Sequence, residues 1–197
     1  MKIDAKRVKE LRDRTGAGMM ECKRALQETG ADIEAAIDLL RSKGEAKAAK
    51  RAARAANEGT VAAYVHHGAR IGVLVELNCE TDFVAATDDF RTLARNIAMH
   101  VAASDPIAVG SGDVDAGVVD RERKVFMEQA AREGKPEHIR ARIVEGKLAK
   151  FFRERVLLEQ AYVRDPDRSV GDLITEVSAR TGEKIRVARF SRFRVGG

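Results

Sequence analysis

Thr81-Asp82-Phe83-Val84 sets a hydroxyl, a carboxylate and a large aromatic side by side where a strand pattern stops, four residues before a helix pattern begins. Residue types alone leave two readings open. In one, Asp82 caps a helical turn and Phe83 packs into a core beneath the following helix, as strand-to-helix connections commonly arrange. In the other, Asp82 and Phe83 project from a rigid strand end as a probe into a partner. The remaining chemically capable groups argue against an enzyme. Thr15-Gly16-Ala17-Gly18 has phosphate-loop glycines, but it joins two helix patterns, follows no strand and lacks the Gly-Lys-Ser/Thr ending, so it reads as a plain turn. Gly110-Ser111-Gly112 fails the same test. His66 and His67 are neighbours on a strand, so they point to opposite faces and cannot share a metal without a bulge. His100 and His138 lack a ligand partner at helical spacing. No serine elbow, Cys–His arrangement or close carboxylate pair stands out. No catalytic residue, metal site or cofactor is expected.

Charge is concentrated rather than spread. Arg41, Lys43, Lys47, Lys50, Arg51 and Arg54, against the single Glu45, carry a surplus equal to the whole net charge of +5. The rest of the chain is balanced, unlike a uniformly basic nucleic-acid binder. No aromatic interleaves these cations to stack a base, and a solvated helix is the simpler reading. The closing segment places Arg186, Arg189, Arg192 and Arg194 around Phe190 and Phe193. That pattern fits an edge strand protected by charge, and it keeps RNA binding through the basic segment and last strand as the competing function.

The elements that must position these groups follow from periodicity. Asp4 caps a first helix over residues 5–14, with Val8 and Leu11 on one side. A second helix covers residues 19–28 and a third residues 33–41, ended by Gly44. Residues 47–56 are rich in Ala, Lys and Arg, with strong helix propensity but no large apolar residue to bury, and read as a solvated helical linker. A hairpin follows, with strands over residues 60–67 and 70–79 around Gly68-Ala69. Ile71, Val73, Val75, Leu77 and Cys79 form the buried face of its second strand. Thr87 caps the main core helix, whose face is Phe90, Leu93, Ala94, Ile97, Ala98 and Val101. Residues 110–117 read as a mobile small-residue loop and residues 119–133 as a helix. Shorter helices are expected near 137–145 and 147–155, a turn at Asp165-Pro166-Asp167, and a helix over 170–180 with a capping box from Ser169 to Asp172. A last strand over 185–195 is expected to pair with the hairpin. The fold class is α+β: three helices, a helical linker, then a core with a three-stranded antiparallel sheet packed by helices.

No apolar run approaches the roughly eighteen residues that a membrane span needs, and the charged start of the chain lacks a signal core, so a cytoplasmic location is expected. Cys22 and Cys79 do not make a disulfide framework.

Two stretches carry a family resemblance. They are Leu11-Arg12-Asp13-Arg14-Thr15-Gly16-Ala17-Gly18-Met19-Met20-Glu21-Cys22-Lys23-Arg24-Ala25-Leu26 and Glu76-Leu77-Asn78-Cys79-Glu80-Thr81-Asp82-Phe83-Val84. Both resemble translation elongation factor Ts, the nucleotide exchange factor for elongation factor Tu. The segments Leu157-Leu158-Glu159-Gln160 and Arg189-Phe190-Ser191-Arg192-Phe193 are similar too, so the likeness covers essentially the whole chain. Ala86, Ala161 and Tyr162 depart from the family pattern. The resemblance implies a ubiquitin-associated-like partner-binding module at 1–43, a basic linker at 44–58, and an α+β dimerisation core at 59–197. It further implies that Arg12, Met19, Met20 and Lys23 contact the nucleotide-binding domain of elongation factor Tu, in its GDP-bound and nucleotide-free forms. Exposed methionines suit such a contact, while packing inside the module remains open for one of the two. Thr81, Asp82, Phe83 and Val84 would intrude near the partner's magnesium site. A homodimer and no direct nucleic-acid binding complete the expectation.

Overall fold

The computed structural model describes residues 3–196, without the side chains of residues 45, 48 and 49. Residues 1, 2 and 197, at the outer limits of the expected 1–43 and 59–197 segments, lie outside the described residues. The architecture mixes three N-terminal helices with a core of helices and a three-stranded antiparallel sheet. The chain forms two compact units. One gathers the chain up to Ala62 with Glu76–Arg95 and Asp172–Ala188; the other holds Ala63–Val75, Asn96–Gly171 and the chain from Arg189 on.

In the first unit, helix α1 (Ala5–Thr15) begins where the Asp4 carboxylate accepts from the Lys6 amide at 3.1 Å. It ends at Gly16, whose left-handed φ of 66° lets its amide reach the Arg12 carbonyl. Helix α2 (Met19–Glu28) follows, then α3 (Ile33–Arg51). Val8, Leu11, Cys22, Ala25, Leu26 and Ala36 close a small core, with Ile33, Ile37, Leu39 and Leu40 packed against it. Gly44 does not end the third helix. α3 runs through it to Arg51, so the expected boundary at 43/44 falls inside one continuous element. A mid-helix glycine costs only about 1 kcal/mol relative to Ala, and the Ala- and Lys-rich flank favours helix. Both sides of Gly44 are also tied to helix α8 (Val170–Thr181): Arg41 pairs with Asp172 at 2.8 Å, and Arg51 donates to the carbonyl and hydroxyl of Ser178 at 2.8 and 2.7 Å. Arg51 is buried, which corrects the reading of this segment as wholly solvated.

Strands β1 (Glu58–Val65), β2 (Ile71–Cys79) and β5 (Arg186–Arg194) form the sheet in the order β1-β2-β5, with the last strand on the hairpin as expected. Along β2 the predicted face holds: Val73, Val75, Leu77 and Cys79 are all buried. β1 stops at Val65, so His66 and His67 belong to the turn, and their rings lie 4.3 Å apart instead of on opposite faces. Helix α4 (Asp82–Ala85) and the main core helix α5 (Asp88–Ser104) follow β2.

In the second unit, residues 110–117 are not a loose loop. The Asp113 carboxylate accepts from the Gly110 amide at 2.9 Å within a 3-10 turn (Ser111–Asp113), and Asp115 caps helix α6 (Ala116–Arg132). The two short helices expected near 137–155 are one, α7 (Glu137–Arg155). α7 packs on α6, and the residues flanking Gly146 are both held across that packing: Glu145 pairs with Arg123, and Lys147 with Glu133 and Gln129. Asp165-Pro166-Asp167, expected as a turn, lies in strand β4 (Asp165–Ser169), which pairs with β3 (Ala161–Tyr162) in a ribbon that periodicity could not reveal.

His100, on α5, is buried and bonded to the residues that flank β3. The Gln160 side-chain amide donates to the Ser104 and Glu154 carbonyls, so its oxygen must accept from His100 Nε2, at 2.9 Å. His100 Nδ1 accepts from the Val163 amide at 3.2 Å. The ring is therefore held neutral. Burial lowers its pKa below 6.5, against a smaller opposing effect of the Gln160 bond. The unfolded chain takes up this proton first on acidification, so the contribution is complete above pH 6.5 and is lost as pH falls below it, at no more than about 1.4 kcal/mol per pH unit. The urea midpoint is expected to drop between pH 7 and pH 5, and to drop less in His100→Gln; equal slopes for the two proteins would refute the assignment.

Candidate functional site

The connection after β2 is fastened at both ends. The Cys79 thiol donates to the Thr81 carbonyl at 3.1 Å. The Glu80 and Thr81 amides both donate to Glu183 Oε2, at 3.0 and 3.1 Å, and the Thr81 hydroxyl donates to Glu183 Oε1 at 2.6 Å. The same hydroxyl oxygen accepts from the Val84 amide and caps the single turn α4. At the far end the Thr87 hydroxyl donates to the Val84 carbonyl at 2.7 Å, while its oxygen accepts from the Phe90 amide and caps α5. Thr81, not Asp82, is thus the cap, and Asp82 is an exposed first residue of the turn.

Phe83 is 82% exposed. The aromatic that fills the core here is Phe90, fully buried in the first stretch of α5. That decides the burial question left open by the sequence: Phe83 is not a core residue, and Val84 is half-buried beside it. Met19 and Met20, the first two residues of α2, are 47% and 62% exposed, so neither packs inside the three-helix core. Cys22 takes that inward position. Arg12, in the last turn of α1, and Lys23, on α2, are exposed as well. All eight residues singled out from the sequence belong to the first unit.

One arginine of α8 reaches both the start of α5, which follows the 81–87 connection, and the turn between α1 and α2. Arg180 pairs with Asp89 in the first turn of α5 at 3.4 Å and with Glu176 at 2.9 Å. Its side chain also lies over the Gly16 turn, where a Cβ would come within 2.7 Å of Arg180 Cδ. The left-handed backbone at Gly16 favours glycine, whereas the close approach asks only for a shift of the flexible Arg180 side chain.

The local electrostatics reinforce the fastening. The Lys184 amide, first, and the Arg54 guanidinium, next, hold the Glu80 carboxyl below its ordinary pKa. Lys47 does the same for Glu21. Burial, and then the charge of Glu183, push the Cys79 thiol up to about 11, and burial raises the Cys22 thiol. Neither cysteine is a reactive group. Among the described residues no group of three or more metal-binding side chains comes together.

The family model for elongation factor TS matches residues 5–197. Elongation factor Ts of Syntrophomonas wolfei is 58% identical over 194 residues, covering 98% of this chain and 91% of that relative. That of Thermosipho melanesiensis is 56% identical, covering 98% of this chain and 99% of its own. The chain belongs to the elongation factor Ts family. It is a translation elongation factor.

The geometry of residues 81–84 depends on residues far from them in the sequence. Glu183, Lys184 and Arg180 escaped sequence reasoning, because a Gly-Glu-Lys run after a helix carries no local signal. Only the fold brings Glu183 to amides 103 and 102 positions away. The cations of 41–54 were legible as a cluster but not as partners. Arg41, Lys43, Lys47 and Arg54 pair with acids, and Arg51 with Ser178.

Since Phe83 contributes little burial, Phe83→Ala is expected to leave unfolding free energy within about 0.5 kcal/mol of the parent. Gly16→Ala is expected to cost about 1–2 kcal/mol, from the left-handed backbone. Urea titration of the three proteins checks both expectations.

Proposed function

We propose that this elongation factor is a guanine nucleotide exchange factor, acting in the cytoplasm on GDP-bound elongation factor Tu and remaining bound to its nucleotide-free form. The observation that carries the reading is the exposure of Phe83 on a capped, tethered turn. A large apolar ring held out in water by a rigid mount loses little conformational entropy on entering a partner. Met19 and Met20 add an adaptable apolar contact on the same unit, flanked by Arg12 and Lys23.

The physical route needs no covalent chemistry on this chain. A GTPase holds its nucleotide through phosphate-loop amides, a lysine and Mg²⁺, and octahedral Mg²⁺ tolerates little displacement of its ligands. Phe83 acts as a wedge that shifts the elements around that ion, with Asp82 contributing charge or hydrogen bonds to groups it displaces. Roughly ten-thousandfold faster release requires only about 5.5 kcal/mol of differential stabilisation. Reciprocity then demands that nucleotide weaken the factor's grip by the same amount, so incoming GTP expels it.

The internal pairing of the basic segment supports a protein partner over RNA. On β5, Arg192 is turned inward as well: its guanidinium donates to the Ala102 carbonyl at 3.2 and 3.3 Å and pairs with Asp105 at 3.2 Å. We read the second unit as the dimerisation part, because Val65, Leu74 and Phe193 are exposed on strands of one sheet. Sedimentation at micromolar concentration is expected to give a dimer.

The decisive measurement is release of labelled GDP from elongation factor Tu. Catalytic amounts of this chain are expected to accelerate it, and Asp82→Ala and Phe83→Ala each to slow the accelerated rate by about tenfold or more. An unchanged rate in the double variant would sink the wedge.

A further inference from the structure

The short connection carrying Asp82 and Phe83 is held by a reciprocal clasp between two glutamates. Glu183 lies in the turn between α8 and β5 and gives both carboxylate oxygens to the connection. Oε2 accepts the Glu80 and Thr81 amides, and Oε1 accepts the Thr81 hydroxyl. In return the Glu80 carboxylate accepts the amide of Lys184, the residue after Glu183, at 2.6 Å. The clasp is braced from the end of α3. Arg54 pairs with Glu80 at 3.3 Å, and the Lys184 ammonium donates to the Ala52 and Arg54 carbonyls. The Ser178 hydroxyl fixes the turn from beneath by donating to the Glu183 carbonyl.

We infer that Glu183 is a positioning residue for nucleotide exchange: it sets the direction in which Phe83 leaves the end of β2. Three facts make it more than a stabilising contact. The two amides it satisfies are the first beyond β2, where the strand ladder no longer supplies acceptors. The hydroxyl it binds is the one that caps α4, so the carboxylate orients Thr81 Oγ1 toward the Val84 amide. Phe83 lies inside the turn thus closed and makes up for none of these contacts itself, being exposed. Losing the carboxylate therefore frees the start of the turn while leaving the wedge side chain intact. The inference rests on the exchange reading for its functional consequence, and on geometry alone for the anchoring.

The test separates those two parts. Amide hydrogen exchange on the free protein is measured for Glu80, Thr81 and Val84 in the parent, Glu183→Ala, Glu183→Asp and Glu183→Gln. Glu183→Ala is expected to speed exchange at these amides by about tenfold or more, and Glu183→Asp, one methylene too short to span both oxygen positions, to do the same. Glu183→Gln is expected to stay within about threefold of the parent, because its carbonyl oxygen still accepts the two amides and its NH₂ can donate to Thr81 Oγ1. Should Glu183→Ala fail to fold, Glu183→Asp carries the measurement. Unchanged protection in the folded variants would overturn the anchoring, whatever the partner assay gives.

In GDP release, Glu183→Ala or Glu183→Asp is expected to lower the maximal rate by about tenfold, with less than about a threefold change in the factor concentration needed for half effect. In an Asp82→Ala/Phe83→Ala background the same substitution should add less than about twofold, because the groups being aimed are gone. A full tenfold additional loss there, or a loss confined to the concentration dependence, would reduce Glu183 to a structural role. Failure of the parent chain to accelerate release at all would instead defeat the exchange reading, with the amide-exchange result standing on its own.

Discussion

A strand that ends inside a protein leaves amides with no ladder to join, and the treatment of two such amides governs the connection that follows β2. β2 buries Val73, Val75, Leu77 and Cys79 along one face, and that burial fixes its register. Beyond Cys79 the pairing stops, yet the chain must turn at once into α4 and α5. A buried amide without an acceptor costs about 1–3 kcal/mol. One carboxylate, that of Glu183, answers two amides and a hydroxyl together. With that demand met, the Thr81 and Thr87 caps close the turn, and Phe83 is left with no inward path.

The same logic of distant partners explains the basic segment. A cluster carrying the chain's whole surplus charge looks, on composition, like a site for anions. In the fold these cations sit along α3 and just after it, facing acids of α2, α8 and the β2 end. Surface ion pairs of this kind stabilise weakly one at a time, by about 0–1 kcal/mol. Their larger effect is on availability, since a guanidinium already engaged by a carboxylate is a poor phosphate ligand. Arg51 goes further: its burial against Ser178 ties the end of α3 to the helix whose following turn supplies Glu183.

The first unit leaves large apolar side chains in water. Met19 and Met20 are exposed on α2, whose inward position is taken by Cys22, and Phe83 is exposed on α4, while Phe90 of the following helix fills the core. The fold had alternative residues for the core and used them. Exposure here is a consequence of packing elsewhere being complete.

The periodicities of the chain determined most of its elements. α1, α2, α5, α8 and the two long strands lie where cap residues and apolar spacing put them, and the family motifs marked residues 81–84 and the Arg12 to Lys23 stretch. Local sequence misjudged Gly44 and Gly146, where contacts to α8 and α6 carry a helix through a residue that would otherwise end it. It missed the β3–β4 ribbon because a two-residue strand has no period. Only the tertiary structure decided that Phe83 faces water, that Arg51 and Arg192 turn inward, and that Glu183 grips the Thr81 turn. Each of those outcomes depends on which groups a hundred or so positions away arrive as neighbours, and burial, charge pairing and amide satisfaction are properties of that arrival.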